Sequence, residues 1–308
     1  MIPRRMCTRM QTHISHRPAP LRNTGSHQSP SSTRLLTIPT AFASQPTSRR
    51  PLLKLLGGGL MAGALSLQGR SVGAAASVPT TAESILEDPQ FPAEFPFRAD
   101  AFERYDEGSD SSFYASPRFV THIDDAAIQA LTDYYSEVFP PSGSKDKALL
   151  DICSSWISHY PKDYSAGKIS GLGMNEEELA RNPILTDFAV KDLNEDPVLP
   201  YPDSTFDVVT NAVSVDYLTK PMEVFKEMHR VLKPGGLAVM SFSNRCFPTK
   251  AVSIWTSTGD LDHVWIVGSY FHYAGGFDAP AAKEITKKGL LGQKGDPMYV
   301  VYARKQAI

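Results

Sequence analysis

The sequence contains few side chains whose type and position suggest a catalytic group. His159 follows a strand-like run and could act as a general base, or it could be a partly exposed loop histidine. Asp216 follows a strongly apolar run, and we expect this acid to hold a polar substrate. Cys153 is either a redox thiol or a small core residue. Because Cys153 and Cys246 are the two cysteines beyond residue 76, neither a disulfide framework nor a metal site is predicted.

These residues lie among segments that alternate between strand-like and helical patterns. Apolar strands that alternate with helices predict an α/β fold with a largely parallel sheet, covered on both faces. An amphipathic helix is predicted over 123–138, after an irregular segment over 77–112. A helix over 222–232 is predicted to stop at Lys233-Pro234-Gly235-Gly236. The predicted strands are 147–153, 168–174, 185–193, 206–215 and 237–243, with an antiparallel strand at 297–305.

One block, residues 199–245, has a dense pattern. It contains LPYPDSTFDVV before the fourth predicted strand and RVLKPGG before the fifth. In this order, the two motifs resemble those of class I S-adenosylmethionine-dependent methyltransferases of the type 11 kind. The resemblance covers residues 147–245 well. It implies a Rossmann-like sheet in the order 3-2-1-4-5-7-6 with the last strand antiparallel, and a ligand bound beyond the carboxyl ends of the strands.

The resemblance also implies S-adenosylmethionine as methyl donor, in a site that departs from the family pattern. The family's first strand ends in LDxGxGxG, whereas this chain continues Leu150-Asp151 with ICSSWIS. Gly173 replaces the acid that bonds the ribose, and Asn175 or Glu176 could substitute for it. Asp192 matches the acid that bonds the adenine amino group, or it is a loop or helix-capping acid. The implied donor-binding residues are Asp151, Cys153, Ser154, Ser155, Asn175, Asp192, Leu193 and Asn211.

Residues before the core have two interpretations. In the family the N-terminal segment closes over the ligands, so Tyr114, Arg118 and His122 could line a lid. Alternatively, they belong to a strap that packs on the sheet.

Two functions are therefore open. The first is methyl transfer to an acceptor, expected to be a small molecule. The second is a catalytically inactive methyltransferase-fold protein that serves as a binding or assembly factor in the thylakoid lumen. The turn Cys153–Ile157 discriminates between them, because the donor cannot bind if Trp156 fills the turn. An NAD-dependent oxidoreductase is disfavoured, since CSSWIS lacks the G-x-G-x-x-G pattern.

The N-terminal part has the composition of a targeting sequence. Residues 1–82 contain no Asp or Glu, but nine Arg and one Lys, which is typical of a transit peptide; a basic arm that binds nucleic acid is the alternative. Arg49-Arg50 precede an apolar run, and an A-x-A site ends at Ala76, which resembles a twin-arginine signal. A retained membrane anchor is the alternative. We expect residues 1–76 to direct the protein to the chloroplast, into the thylakoid lumen, with the mitochondrion as the alternative destination.

The remaining chain is acidic. Ten of the 31 Lys and Arg residues lie in residues 1–76, which leaves 21 basic against 33 acidic residues, a net charge of −12. Such a domain is a poor partner for nucleic acid or anionic membranes. We expect one domain, made of an N-terminal strap and helix (77–146) and a methyltransferase-like core (147–308), with a small-molecule substrate and no membrane anchor after processing. The oligomeric state is left open.

Overall fold

The computed structural model describes residues 80–287 and 295–307. Their sheet has seven strands in the order β3-β2-β1-β4-β5-β7-β6. β1 to β5 are parallel, and β7 is antiparallel to both of its neighbours. The predicted α/β class, strand order and antiparallel last strand are confirmed. The strands are β1 (Ser144–Ile152), β2 (Ala166–Gly173), β3 (Asp187–Val190), β4 (Phe206–Ala212), β5 (Leu232–Phe242), β6 (Ala281–Glu284) and β7 (Tyr299–Arg304).

Seven α-helices accompany the sheet in the described residues. The described residues also form two short 3₁₀ helices, Ala99–Phe102 and Val215–Tyr217. In this part of the chain, no helix combines the length and the apolar character needed to cross a membrane. The helices are α1 (Ala82–Glu87), α2 (Asp110–Phe113), α3 (Asp125–Val138), α4 (Glu176–Arg181), α5 (Pro221–Val231), α6 (Ser253–Thr256) and α7 (Asp260–Ala274).

Both faces of the sheet are covered by apolar side chains. Successive residues of a strand point to opposite faces, so Leu149 packs with α3 and Leu150 packs with α5 and α7. Both leucines are fully buried. Burial of a leucine side chain contributes about 1.5–3 kcal/mol. The near-continuous apolar runs of β1, β4 and β5 follow from this double burial.

The pattern block 199–245 holds the sheet together through its charged side chains. Asp207 at the start of β4 accepts hydrogen bonds from the Ala148 backbone (2.9 Å), Lys147 Nζ (3.1 Å) and Lys233 Nζ (2.6 Å). It therefore ties β1, β4 and β5 at one edge. Arg230 in α5 pairs with Glu227 (2.6 Å) and donates to two carbonyls of the loop before β4.

Several local predictions need correction. The helix predicted over 222–232 forms as α5, but Lys233–Gly236 are not a turn after it, because β5 already begins at Leu232 and includes them. The segment 77–112 is not irregular throughout, since α1 and α2 form within it. The predicted strand 185–193 is reduced to the four residues of β3, which is exposed at the sheet edge, and β6 was not predicted.

Candidate functional site

A cavity of about 440 Å³ lies where β1, β2 and β4 end. Ligand sites of proteins have volumes of roughly 300–1,000 Å³. The strand ends form one wall, and the loop Asn244–Phe247 after β5 forms another. Residues 110–122, which we call the strap, supply the remaining wall through Asp110, Tyr114, Arg118, Thr121 and His122. Within residues 80–287 and 295–307, no group of three His, Cys, Asp or Glu side chains could hold a metal ion.

The turn after β1 leaves this cavity open. Cys153 has a φ of 54°, a left-handed conformation that normally favours glycine. Ser154 N donates to Leu172 O (2.8 Å), so the turn continues along β2 before it leaves the sheet. Trp156 points away from the cavity: its Nε1 donates to Val120 O (2.9 Å), and its ring meets Phe119 edge to face. The large side chain therefore does not fill the space that a ligand would need.

The position of Gly173 explains why no acid ends β2. A Cβ atom built on Gly173 would lie 2.1 Å from the carbonyl oxygen of Ser154. Backbone occupies the space into which a longer side chain would have to extend. The altered turn and the missing acid are therefore one structural feature, not two independent losses.

Asn175 lines the cavity, but its polar atoms are already used. Its Oδ1 accepts the N–H of Glu178 (3.0 Å), which caps α4, and its Nδ2 donates to Tyr114 O (2.9 Å). Asn175 thus fastens the strap to the end of β2. Glu176, the other candidate, is exposed and is not among the lining residues of the described cavity.

Asp192 and Leu193 line the cavity beyond β3. Asp192 Oδ1 accepts the N–H of Asn194 (2.8 Å) and orders the turn, as a loop acid would. Its Oδ2 has no hydrogen-bond partner among the residues that the structure describes. The two interpretations of Asp192 are therefore compatible, because one oxygen holds the turn and the other can accept a bond from a ligand. Leu193 is buried beside it and offers an apolar surface.

Burial shifts the ionisable groups at the end of β1. Asp151 is 2% exposed, and burial raises the pKa of its carboxyl to about 6, although Thr210 Oγ1 donates to it (2.7 Å). Burial, together with the nearby Asp151, raises the pKa of the Cys153 thiol to about 12. A thiol with such a pKa is protonated at neutral pH and is a poor nucleophile. Ser154, Ser155 and Cys153 all line the cavity, and Ser154 Oγ is buried with no partner in the described chain.

Asn211 and Asp216 are placed differently from the other predicted site residues. Both are buried, and neither is among the residues that line the cavity in the described structure. Burial raises the pKa of Asp216 to about 8, and its Oδ2 has no partner in the described part of the chain. Their neighbours Val213 and Tyr217 do line the cavity. Contact of Asn211 or Asp216 with a ligand would therefore require movement of the wall.

The strap is held by a buried charge network. Lys250 Nζ donates to Gly108 O (2.6 Å) and pairs with Asp110 (3.2 Å), and Arg104 pairs with Asp110 from the other side (2.7 Å). Asn194 Nδ2 also donates to Asp110 (2.9 Å). These bonds connect the strap to the loops after β3 and β5. The strap is thus bonded to the core, and its residues Tyr114, Arg118 and His122 line the cavity.

His159 is a site residue that the sequence did not place correctly. It is 6% exposed, so the alternative of a partly exposed loop histidine is wrong. The tyrosines that follow, Tyr160 and Tyr164, pack beneath α3 and draw the segment into the protein. Burial, and then His122, lowers the pKa of His159 to about 4; burial and Arg118 lower the pKa of His122. The cavity thus has two neutral imidazoles in its wall.

The loop after β5 supplies lining residues that the sequence analysis missed. Only their position after a strand could have indicated that they lie at the cavity. Asn244, Arg245, Cys246 and Phe247 follow a strand whose carboxyl end is at the cavity edge. The Phe247 N–H donates to Tyr217 Oη (2.8 Å), which fixes this loop against the end of β4. Aromatic side chains of Tyr114, Tyr217 and Phe247 therefore surround this part of the cavity.

Residues 153–240 match the family model described as a methyltransferase domain. The chain carries a methyltransferase domain. This match begins at the altered turn directly after β1 and extends into β5, so it includes β2, β3 and β4 with the ends that border the cavity. The family resemblance of the sequence and the observed strand order agree with it.

Known relatives match the methyltransferase domain over limited lengths. The ubiquinone/menaquinone biosynthesis C-methyltransferase UbiE of Laribacter hongkongensis is 38% identical over 84 residues, 27% of this chain and 33% of the relative. Norajmaline N-methyltransferase of Rauvolfia serpentina is 24% identical over 160 residues, 49% of this chain and 53% of the relative. The chain thus spans about half or less of these relatives. A crystal structure of an S-adenosylmethionine-dependent methyltransferase from Mesorhizobium loti is 17% identical, with a TM-score of 0.37, and covers 57% of this chain and 97% of that chain.

Proposed function

We propose that the methyltransferase domain binds S-adenosylmethionine in the cavity and transfers its methyl group to a small organic acceptor. The observation that carries this proposal is the open cavity at the ends of β1, β2 and β4, from which Trp156 turns away. Asp192 Oδ2 is placed to accept a bond from an amino group, and Leu193 offers an apolar surface to a flat ring. The buried Ser154 hydroxyl supplies a further polar group without a partner in the described residues.

Methyl transfer requires mainly that the bound donor and the bound acceptor are aligned. S-adenosylmethionine, when bound, supplies an activated methyl group. The chain then has to orient the acceptor and exclude water, which is worth several orders of magnitude in rate. No thiolate or catalytic triad is needed, which agrees with the protonated state of Cys153. Only an ionisable acceptor requires a base; of the two histidines in the cavity wall His122 is the candidate, because a pKa of about 4 makes His159 a weak base at neutral pH.

Aromatic side chains favour a flat acceptor. Tyr114, Tyr217 and Phe247 lie in the cavity wall near the loop after β5. Aromatic rings stack on other planar groups at centroid distances of about 4.5–7 Å. One relative is named for ubiquinone/menaquinone biosynthesis and another for norajmaline, and these are names of small organic molecules. We therefore infer a small aromatic or polycyclic acceptor.

Photocrosslinking tests the location of the donor. The full chain would be irradiated with methyl-labelled S-adenosylmethionine, digested, and the labelled peptides identified by mass spectrometry. We expect the label in the segments around Cys153–Ser155, Gly173–Asn175 or Asp192–Leu193. Labelling that maps elsewhere, or that an excess of S-adenosylhomocysteine does not suppress, would contradict the proposal.

A second candidate is a catalytically inactive protein with the same fold, which serves as a binding or assembly factor. The observation that favours it is the Ser154 carbonyl, which occupies the side-chain space of Gly173 and leaves no acid for the ribose. Assay of S-adenosylhomocysteine formation with a panel of phenols, quinols and amines separates the two. Crosslinking without turnover for any acceptor class would favour the binding factor, whereas turnover would eliminate it.

We also propose that the protein acts in the chloroplast, in the thylakoid lumen, and that residues 1–76 direct it there. The acid-free, arginine-rich composition of residues 1–82 and the Arg49-Arg50 pair support this proposal. Residues 1–76 lie outside the described structure. Import of the radiolabelled chain into isolated chloroplasts, followed by fractionation, tests it. A processed form in the thylakoid fraction is expected, and uptake by mitochondria alone would overturn the proposal.

A further inference from the structure

Arg118 is a cation in the cavity wall to which the described structure gives no carboxylate partner within ion-pair distance. Its Nη2 donates to the backbone oxygen of Phe113 (2.7 Å). Its Nη1 is shielded from solvent and has no hydrogen-bond partner among residues 80–287 and 295–307. Glu178 accepts a bond from the Arg118 backbone N–H (2.6 Å), not from the guanidinium. A buried N–H of a charged group without an acceptor is costly, so it marks a place where a ligand can supply the acceptor.

The other two Lys and Arg residues that line the cavity differ in this respect. Lys191 pairs with Asp196 (2.7 Å), and Arg245 pairs with Asp296 (3.2 Å). Lys250 and Arg104, which hold the strap, are both paired with Asp110. Only the charge of Arg118 is left without such a pair among the described lining cations.

Aromatic rings hold the Arg118 guanidinium in place. Its Cζ lies 4.3 Å from the ring centroid of Phe113, and 5.6 Å from those of Tyr114 and Phe247. A guanidinium that is already oriented loses little side-chain entropy when it binds an anion. The planar fork of its N–H groups also matches the geometry of a carboxylate.

We propose that Arg118 binds a carboxylate group of a ligand in the cavity. This inference rests on the proposed function. Two ligands can bring that group: the donor, through its methionine carboxylate, or an acidic acceptor. The turn after β1 favours the donor as the source of the carboxylate. The N–H of Ser154 in this turn is already bonded to Leu172 O, so it is not free to bind the donor's carboxylate and leaves that group to Arg118. The loop after β5 favours the acceptor, because Phe247 lies beside the guanidinium.

Pairs of ligands that differ in one carboxylate test the proposal. In the donor arm, S-adenosylmethionine and decarboxylated S-adenosylmethionine are titrated into the full chain by calorimetry. In the acceptor arm, 4-hydroxybenzoate and 4-hydroxybenzamide are titrated in the presence of S-adenosylhomocysteine. Both arms use the wild type, Arg118→Met and a matched control, Arg181→Met. Arg181 also lies over an aromatic ring (Phe119, 3.9 Å) but does not line the described cavity.

We expect the wild type to prefer the carboxylate-bearing member of one pair by about tenfold to a hundredfold, as for a charge-assisted hydrogen bond. Arg118→Met should remove that preference, Arg181→Met should keep it, and both variants should unfold at similar temperatures. The arm in which the wild type prefers the carboxylate-bearing ligand, and Arg118→Met does not, identifies the source of the carboxylate. A wild type with no preference in either arm, or an Arg118→Met chain that keeps it, would overturn the role of Arg118. A wild type that binds neither donor would overturn the proposed function, while the acid and amide pair would still decide the role of Arg118.

Discussion

The block 199–245 and the cavity wall use charged side chains in different ways. In the block, Asp207, Glu227 and Arg230 bond to neighbouring strands and loops and complete the scaffold. In the wall, Asp192 and Arg118 each keep a polar atom without a partner in the described chain. A scaffold group that is fully bonded stabilises the fold, and an incompletely bonded group in a cavity is available to a ligand. The densest sequence pattern therefore reports how the sheet is built and says little about what the cavity binds.

A substitution of Gly173 should have the largest effect on stability, because a side chain there would collide with the backbone of the turn after β1. Gly173→Asp, which restores the family's acid, would place a Cβ 2.1 Å from a backbone oxygen. We expect a loss of about 3 kcal/mol or more in the free energy of unfolding, measured by urea denaturation. Gly259→Ala is the control, since its nearest atom would lie 3.7 Å away. A stable Gly173→Asp chain with improved donor binding would show that the turn can move and that the acid was lost for another reason.

The pH dependence of stability should reveal the buried carboxyl of Asp216. Its folded-state pKa of about 8 lies above the unfolded value of about 3.9. The protonated form is favoured in the folded protein, so its contribution is fully present below about pH 4 and is lost as the pH rises through about 8. Asp216→Asn should remove this slope, which amounts to a few kcal/mol, in urea unfolding between about pH 5 and about pH 9. Equal slopes in wild type and variant would mean that the carboxyl is solvated in solution.

Arg230 tests whether a charged residue of the block 199–245 affects stability alone. Arg230→Met removes the pair with Glu227 and the bonds to the Leu199 and Tyr201 carbonyls. We expect a loss of about 2 kcal/mol in the free energy of unfolding, because several acceptors lose a charged donor together. Donor affinity of the folded fraction should be unchanged. Arg98→Met, at an exposed position, serves as the control for a loss of charge. A fall in donor affinity in Arg230→Met would mean that scaffold and cavity are coupled.

Substitution of Asp192 with Asn should lower donor affinity but not stability, the opposite of the result expected for Arg230. In Asp192→Asn, the Oδ1 that accepts the N–H of Asn194 is retained, while the free carboxylate oxygen is replaced by an amide N–H₂. We expect donor affinity to fall by about tenfold in calorimetry, as for one lost hydrogen bond to a charged group, with little change in thermal stability. Asp192→Ala should weaken binding similarly and also loosen the turn. Unchanged affinity in both variants would leave Asp192 as a loop acid alone.

The sequence was sufficient for the sheet but not for the site, for physical reasons. Apolar runs such as those of β1 and β4 predict the strands, since burial on both faces requires such runs, whereas the order of the strands was implied by the family resemblance of the motif that includes Asp207. The orientation of Trp156 depends on a bond to Val120, 36 residues away, and could not be predicted from local pattern. The burial of His159 likewise depends on tyrosines packed beneath α3. Asp216 was expected at the cavity because it follows β4, but the 3₁₀ turn Val215–Tyr217 brings Tyr217 there instead.

Calorimetric titration of S-adenosylmethionine into the full chain tests the central claim most directly. The claim is that the cavity accepts the donor although the turn after β1 lacks the family's glycines, because Trp156 lies outside it. The account predicts saturable binding in the micromolar range, about 8 kcal/mol of binding free energy, with competition by S-adenosylhomocysteine. No heat of binding at millimolar donor, from a chain shown to be folded by circular dichroism, would contradict it.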